Sequence, residues 1–192
     1  MTSFSPCGGG TELPQPVEAK LFCALLYAED LSLREVLGAL QAEWGEIEFL
    51  GPQWPFSHTS YYHSEMGSPL FRRFLTFEKP QEQEALPRLK WKAKEMESRF
   101  ARPGGRRRVN IDPGLLLPDK LVLASTKPAA HRPYLGHGIY ADLTLLFHDG
   151  SYQALPWTYR DYASEEWRSI FNALRLRYRT QKRLSRGRGL RW

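Results

Sequence analysis

Apolar positions along the chain change their spacing from one stretch to the next, and the spacing predicts the elements. "AKLFCALLYA" (19–28) is an almost unbroken apolar run, as expected of a strand buried on both faces. In "LSLREVLGALQAEWG" the apolar residues Leu33, Val36, Leu37, Leu40 and Trp44 recur every three or four positions, which predicts a helix. Ser32 and Glu35 have the spacing of a capping box, and Gly45 supplies a stop. "EIEFLGPQW" reads as a short strand, and "LFRRFLTFE" (70–78) as a longer one. In the latter, Arg72 and Arg73 face opposite ways. Helical spacing returns over about 84–100 through Leu86, Leu89, Ala93, Met96 and Phe100.

"RRRVNID" and "KLVLAST" then read as strands around a loop, "PGLLLPD", with Pro113-Gly114 forcing a turn. "GIYADLTLLF" alternates, which puts Ile139, Ala141, Leu143, Leu145 and Phe147 on one side. "DG" at 149–150 signals a hairpin into "SYQAL". A last helix begins near Ser164, with Trp167, Ile170, Phe171, Leu174 and Tyr178 on its apolar face. The order β-α-β-β-α-β-β-β-β-α, with a tight hairpin, predicts a single α+β domain: a largely antiparallel sheet with about three helices packed on one face. A ferredoxin-like first half followed by a β-hairpin and helix fits this order. The domain spans 18–180, after a Gly/Pro/Ser-rich tail (1–17) and before a basic flexible tail (181–192).

Charge refines this picture. The 192-residue chain has a formal net charge of +6, but nine Lys or Arg and no acid lie between Arg168 and Trp192. The rest has 18 basic against 21 acidic residues, so the basicity belongs to the C-terminal segment. Such a segment suits a polyanion such as RNA, or is a solvated helix face. No apolar run reaches the ~20 residues that span a bilayer, so no membrane partner is expected. Two cysteines, Cys7 and Cys23, make no disulfide framework, and a reducing cytoplasm is the expected setting.

Four stretches are dense in reactive side chains: "FSHTSYYHSEMGSPLFRR", "RVNIDPG", "STKPAAHRPYLGHGIY" and "LPWTYRDY". Lys127, Arg132 and Arg72 are cations on or beside strands, suited to one anion. Asn110 sits beside Asp112 at a strand end. Gly136 and Gly138 would let backbone approach a ligand, while Tyr61, Tyr62 and Tyr134 could stack on a base. His131 has the chemistry of a general acid or base, and Asp112 with Glu65 could hold Mg²⁺. On this reading residues 131–140 form one wall of an anion-binding cleft. Zinc is not expected: His58 and His63 match no strong zinc spacing, and no Cys pair assists. "CGGGT" lacks the lysine of a P-loop, and no G-x-S-x-G elbow occurs. The two-histidine phosphoesterases need two H-x-[ST] elements, and only "SHTS" comes near.

In chain order, "SYYHSEMGSPLFRRFLTFE", "RRRVNIDPG", "LVLASTK", "HRPYLGHGIYADLTL" and "LPWTYRDY" resemble the bacterial domain-of-unknown-function family 4416, over about residues 20–178. The resemblance implies a signature made mostly of polar residues and glycine: Tyr61, Tyr62, Glu65, Gly67, Asn110, Asp112, Gly114, Lys127, His131, Arg132, Tyr134, Gly136, Gly138, Tyr140 and Trp157. The family usually has Glu in place of Asp142 and Pro in place of Arg160. No reaction follows from it. Two functions fit the residues: binding of, and action on, a phosphate-bearing ligand such as a nucleotide or RNA end, or non-catalytic RNA or ribosome association through the basic C-terminal segment.

Overall fold

The computed structural model describes residues 18–57 and 61–187. Ten strands form one antiparallel sheet. In chain order the elements are β1 (Glu18–Ala28), α1 (Leu33–Trp44), β2 (Ile47–Leu50), β3 (Trp54–Pro55), α2 (His63–Met66), β4 (Leu70–Phe77) and β5 (Gln81–Glu82). After a 3₁₀ turn come α3 (Leu86–Arg99), β6 (Val109–Leu116), β7 (Lys120–Ser125), β8 (Tyr134–Gly136), β9 (Ile139–His148), β10 (Ser151–Ala154), α4 (Arg160–Ala163) and α5 (Glu165–Gly187).

The main strand order is β10-β9-β7-β6-β1-β4-β2. Its β6-β1-β4-β2 part, with α1 and α3 as crossovers, is the ferredoxin-like arrangement. The apolar run of β1 is central, paired with β4 on one side and β6 on the other, and ten of its eleven residues are buried. One face of the sheet (Leu21, Cys23, Leu25, Leu75, Ile111) packs on Val36, Leu40 and Trp44 of α1 and Leu86, Leu89, Ala93 and Met96 of α3. The other face (Phe22, Ala24, Phe74, Leu121, Leu145) packs on Trp167, Phe171, Leu174 and Tyr178 of α5. The helices therefore cover both faces, not one: a strand buried on both sides requires a second layer. Final helix α5 runs past 180 to Gly187, and Gln181 on it donates to Glu48 (2.9 Å).

Three local readings change. Ser32 caps α1 by position only and makes no side-chain capping bond. Pro113 and Gly114 form no turn: they lie inside β6, opposite Cys23 and Phe22. Gly114 is needed for packing, because a Cβ there would lie 2.2 Å from the Phe22 ring and 2.7 Å from the Val122 carbonyl. Finally, the β7–β9 register shifts between Leu121 and Val122, so the alternation of β9 breaks. Ile139 belongs to the core on the α1/α3 side of the sheet, Leu145 to the core on the α5 side, and Asp142 is buried opposite Leu123.

The sheet also opens between β6 and β7. The β6–β7 ladder begins only at Gly114, just past a proline with no N–H to give. Before that point β6 pairs with β1 alone, while β7 beyond Leu123 pairs with β9. A cleft lies where the strands part.

Candidate functional site

The cleft encloses about 610 Å³. Its lining comes from Arg72 on β4, Lys90 and Lys94 on α3, Arg107, Asn110 and Asp112 around β6, and Leu123 to Lys127 on and after β7. Asp142 on β9, the segment 157–162, and Phe56, Tyr61 and Tyr62 complete it. Register explains the floor. Arg72 and Asn110 both pair with Leu26, and Asp112 pairs with Ala24, so all three point to the α5 side of the sheet.

Asp112 is the hub. One carboxylate oxygen takes Lys90 Nζ at 2.8 Å; the other accepts from Asn110 Nδ2 at 2.7 Å and lies 4.0 Å from Arg72 Nη1. Burial alone would raise this carboxyl, but Lys90, Arg72 and the Asn110 amide together hold it below the ordinary aspartate range. Lys90 also donates to the Ile111 carbonyl at 3.0 Å. Burial works against its charge, yet Asp112 and Glu97 keep the ammonium more basic than a free lysine. Arg72 is buried, with Nε 3.0 Å from Asp161 and its guanidinium over the Phe56 ring at 5.0 Å. Among the described residues its Nη1 has no hydrogen-bond partner.

A second layer orients the first. Arg107 grips Glu65 through two 2.7 Å bonds and donates to Asn110 Oδ1 at 2.7 Å, so Glu65 steers Asp112 through two intermediaries. Those bonds lower the Glu65 carboxyl and raise the Arg107 guanidinium. Glu97, buried, accepts from Lys94 and from the Ile111 backbone N–H. On the far wall Arg132 donates to Asp142 at 3.0 Å, to the Lys127 carbonyl at 3.0 Å and to Tyr159 Oη at 2.8 Å.

The rim is aromatic and cationic. Tyr61, Trp157 and Tyr159 are 60%, 39% and 47% exposed. Tyr62, half-buried, has its phenol pushed up to about 12 by burial. Lys127 Nζ lies 4.5 Å above the Tyr61 ring and 3.3 Å from its hydroxyl. Seven cations (Arg72, Lys90, Lys94, Arg107, Lys127, Arg132, Arg160) and five carboxylates (Glu65, Glu97, Asp112, Asp142, Asp161) stand in or behind the lining. Among the described residues only Lys127 and Arg160 of these cations lack a carboxylate partner.

Six of the twelve site residues read from sequence line the cleft (Tyr61, Tyr62, Arg72, Asn110, Asp112 and Lys127), and Glu65 and Arg132 brace it from behind. Glu65, expected to share Mg²⁺ with Asp112, is paired with Arg107 here. Both its oxygens are engaged by Arg107, and no group of three His, Cys, Asp or Glu among the described residues is arranged for a metal. Arg132 is a brace behind the wall. His131 is not on the lining: its ring stacks on Trp157 (4.7 Å between centroids, 14° between planes), with Nε2 3.8 Å from Asp142. Tyr134, Gly136 and Gly138 lie apart, in the β8–β9 turn. Both glycines have positive φ (97° and 74°), and the Tyr134 hydroxyl accepts from the Gly138 N–H. The run 131–140 thus braces the cleft with its first two residues and folds a tight turn with the rest; it is not a wall. His58 lies outside the described residues.

Sequence reading missed Lys90, Arg107, Asp142, Tyr159, Arg160 and Asp161. Lys90 carried a signal: it follows the core residue Leu89 on α3, beside an apolar stripe. Asp142 carried another, as a carboxylate inside an alternating strand. No helix among the described residues is long and apolar enough to cross a membrane. No curated protein and no solved structure matches the chain. A family model matches residues 17–178, most of the sequence and the whole of this cleft, and by it the chain belongs to the family described as domain of unknown function (DUF4416).

Proposed function

We propose that the cleft binds a phosphate-bearing ligand, with a nucleotide as the class that fits best. The observation that carries this reading is the charge left over at the rim. The inner cations are matched by Asp112, Asp161, Glu65 and Glu97, whereas Lys127 and Arg160, at the opening, have no carboxylate partner among the described residues. A terminal phosphate carries about −1.5 to −2 at neutral pH, which two such cations balance. Arginine offers a fork to phosphate oxygens and lysine a point charge. The exposed rings of Tyr61, Trp157 and Tyr159 beside them supply flat surfaces for a base. A volume of about 610 Å³ is that of a small-molecule site.

The test is a thermal-shift panel of nucleoside mono- and diphosphates, nucleosides, sugar phosphates and pyrophosphate. Ligand at a hundred times its Kd stabilises the native state by about 2.7 kcal/mol. For a chain of this size that is a rise of roughly 5–10 °C. Lys127→Ala with Arg160→Ala leaves the unliganded Tm within about 2 °C, both side chains being at the rim, and abolishes the shift. Equal shifts from nucleosides and nucleotides, or a shift unchanged in the double variant, would overturn the proposal.

A further inference from the structure

Helix α5 has an apolar face, which the fold buries, and a basic flank, which the fold uses only in part. Trp167, Phe171, Leu174 and Tyr178 bury its apolar face against the sheet. At 3.6 residues per turn, Arg168, Arg175 and Lys182 fall in line at intervals of seven, and Arg179 and Arg183 fall beside them. All five lie on one flank, between the buried face and the outward one, over about 22 Å of helix at ~1.5 Å per residue. No acid interrupts them: the only carboxylates of α5 are Glu165 and Glu166 in its first turn. Part of the row is tied down. Arg175 donates to the Pro118 carbonyl and covers the Phe147 ring, and Arg168 lies over Tyr152 and Gln153. Arg179 and Arg183 are exposed and, among the described residues, bond to nothing. The residues before Arg168 carry 18 basic against 21 acidic side chains, so the positive charge is concentrated in the C-terminal segment to which this flank belongs.

We infer that this flank is a docking surface for the phosphodiester backbone of a nucleic acid strand, separate from the cleft and independent of what the cleft holds. Charge complementarity selects the partner. A row of four guanidinium groups and one ammonium matches a row of phosphates, and arginine contacts phosphate through a planar fork. A bilayer fits poorly. A helix lying on lipid needs a broad apolar face, and here that face is buried under the sheet; the outward side offers only Leu176 and Leu184 as large exposed apolar residues.

The test is fluorescence anisotropy of the full chain with labelled 20-nucleotide single-stranded RNA and DNA of the same sequence, over a salt series. Vesicles containing phosphatidylserine form a third arm. Expected is binding to nucleic acid that weakens steeply with salt, with the RNA and DNA arms showing which backbone is preferred. For single strands the slope of log K against log salt is about −0.7 per neutralised phosphate, so Arg179→Gln with Arg183→Gln lowers its magnitude by about 1.4. Arg179→Lys with Arg183→Lys retains the slope. The circular dichroism spectrum of each variant matches the parent, both residues being exposed. Binding with an unchanged slope in the glutamine variant, binding to vesicles but not to oligonucleotides, or no binding at low salt would each overturn the inference. Lys127→Ala with Arg160→Ala leaves this slope unchanged, which separates failure here from failure of the cleft proposal.

Discussion

Removing the Asp112 carboxylate with Asp112→Ala tests whether it holds the cleft together. The change leaves the Lys90 ammonium, only 5% exposed, with the Ile111 carbonyl and the more distant Glu97 for compensation. It also frees the Asn110 amide and takes one of two carboxylates from Arg72. Breaking a buried pair from one side costs about 3–5 kcal/mol, because the stranded charge remains in the interior. Asp112 is 27% exposed to the cleft, so water can enter there, and the lower end, about 3 kcal/mol, is expected. Urea unfolding followed by circular dichroism measures it. Adding Lys90→Met to Asp112→Ala removes the stranded ammonium and should recover part of the loss. A further check is acid. The folded-state pKa of Asp112 lies below its unfolded value of about 3.9, so the native protein prefers the ionised form. The stabilisation is present above that unfolded value and disappears as pH falls through the folded one. Asp112→Asn should therefore show a shallower loss of stability below about pH 4 than the parent. A cost under about 1 kcal/mol for Asp112→Ala, together with no recovery in the double variant, would refute the assignment of Asp112 as hub.

Other outcomes follow from single contacts. Gly114→Ala forces the Phe22 ring and the β7 backbone apart, and should cost about 2–3 kcal/mol or more in chemical denaturation. A loss below about 0.5 kcal/mol would mean that the strands yield freely. Tyr152→Phe strips a 2.5 Å bond from the buried Leu117 carbonyl and should cost about 1–2 kcal/mol in urea unfolding. Glu65→Gln releases the Arg107 fork and, through Asn110, loosens Asp112. It should leave global stability nearly unchanged, since the pair is partly exposed, yet weaken ligand-induced stabilisation several-fold in a thermal-shift titration.

Much of the fold is visible as period. The unbroken apolar run of β1, the three-and-four spacing of α1, α3 and α5, and the Asp149-Gly150 turn each mark an element close to its observed bounds. What periodicity misses is where a pattern is broken. Pro113-Gly114 looks like a turn because both residues are turn formers, yet the strand continues through them: the proline falls where β6 has no β7 partner, and the glycine under the Phe22 ring. The β9 bulge reverses facing without changing composition, which hides Asp142. The site is legible as a set of stretches but not as an assembly. Lys90 reaches Asp112 from a helix on the opposite face of the sheet, a meeting that depends on the parting of β6 and β7. His131 and the Gly136/Gly138 pair have the residue types of a site, but they meet Trp157 and a hairpin turn instead.

The most direct measurement is a ¹⁵N–¹H correlation spectrum of the protein titrated with nucleoside monophosphates and pyrophosphate. If the cleft is a phosphate-ligand site, saturable shifts gather at Tyr61, Tyr62, Asn110 to Asp112, Ser125 to Lys127 and Trp157 to Asp161, and vanish in Lys127→Ala with Arg160→Ala. Saturable shifts confined to α5, or no saturable shift with any of these phosphates, would contradict it.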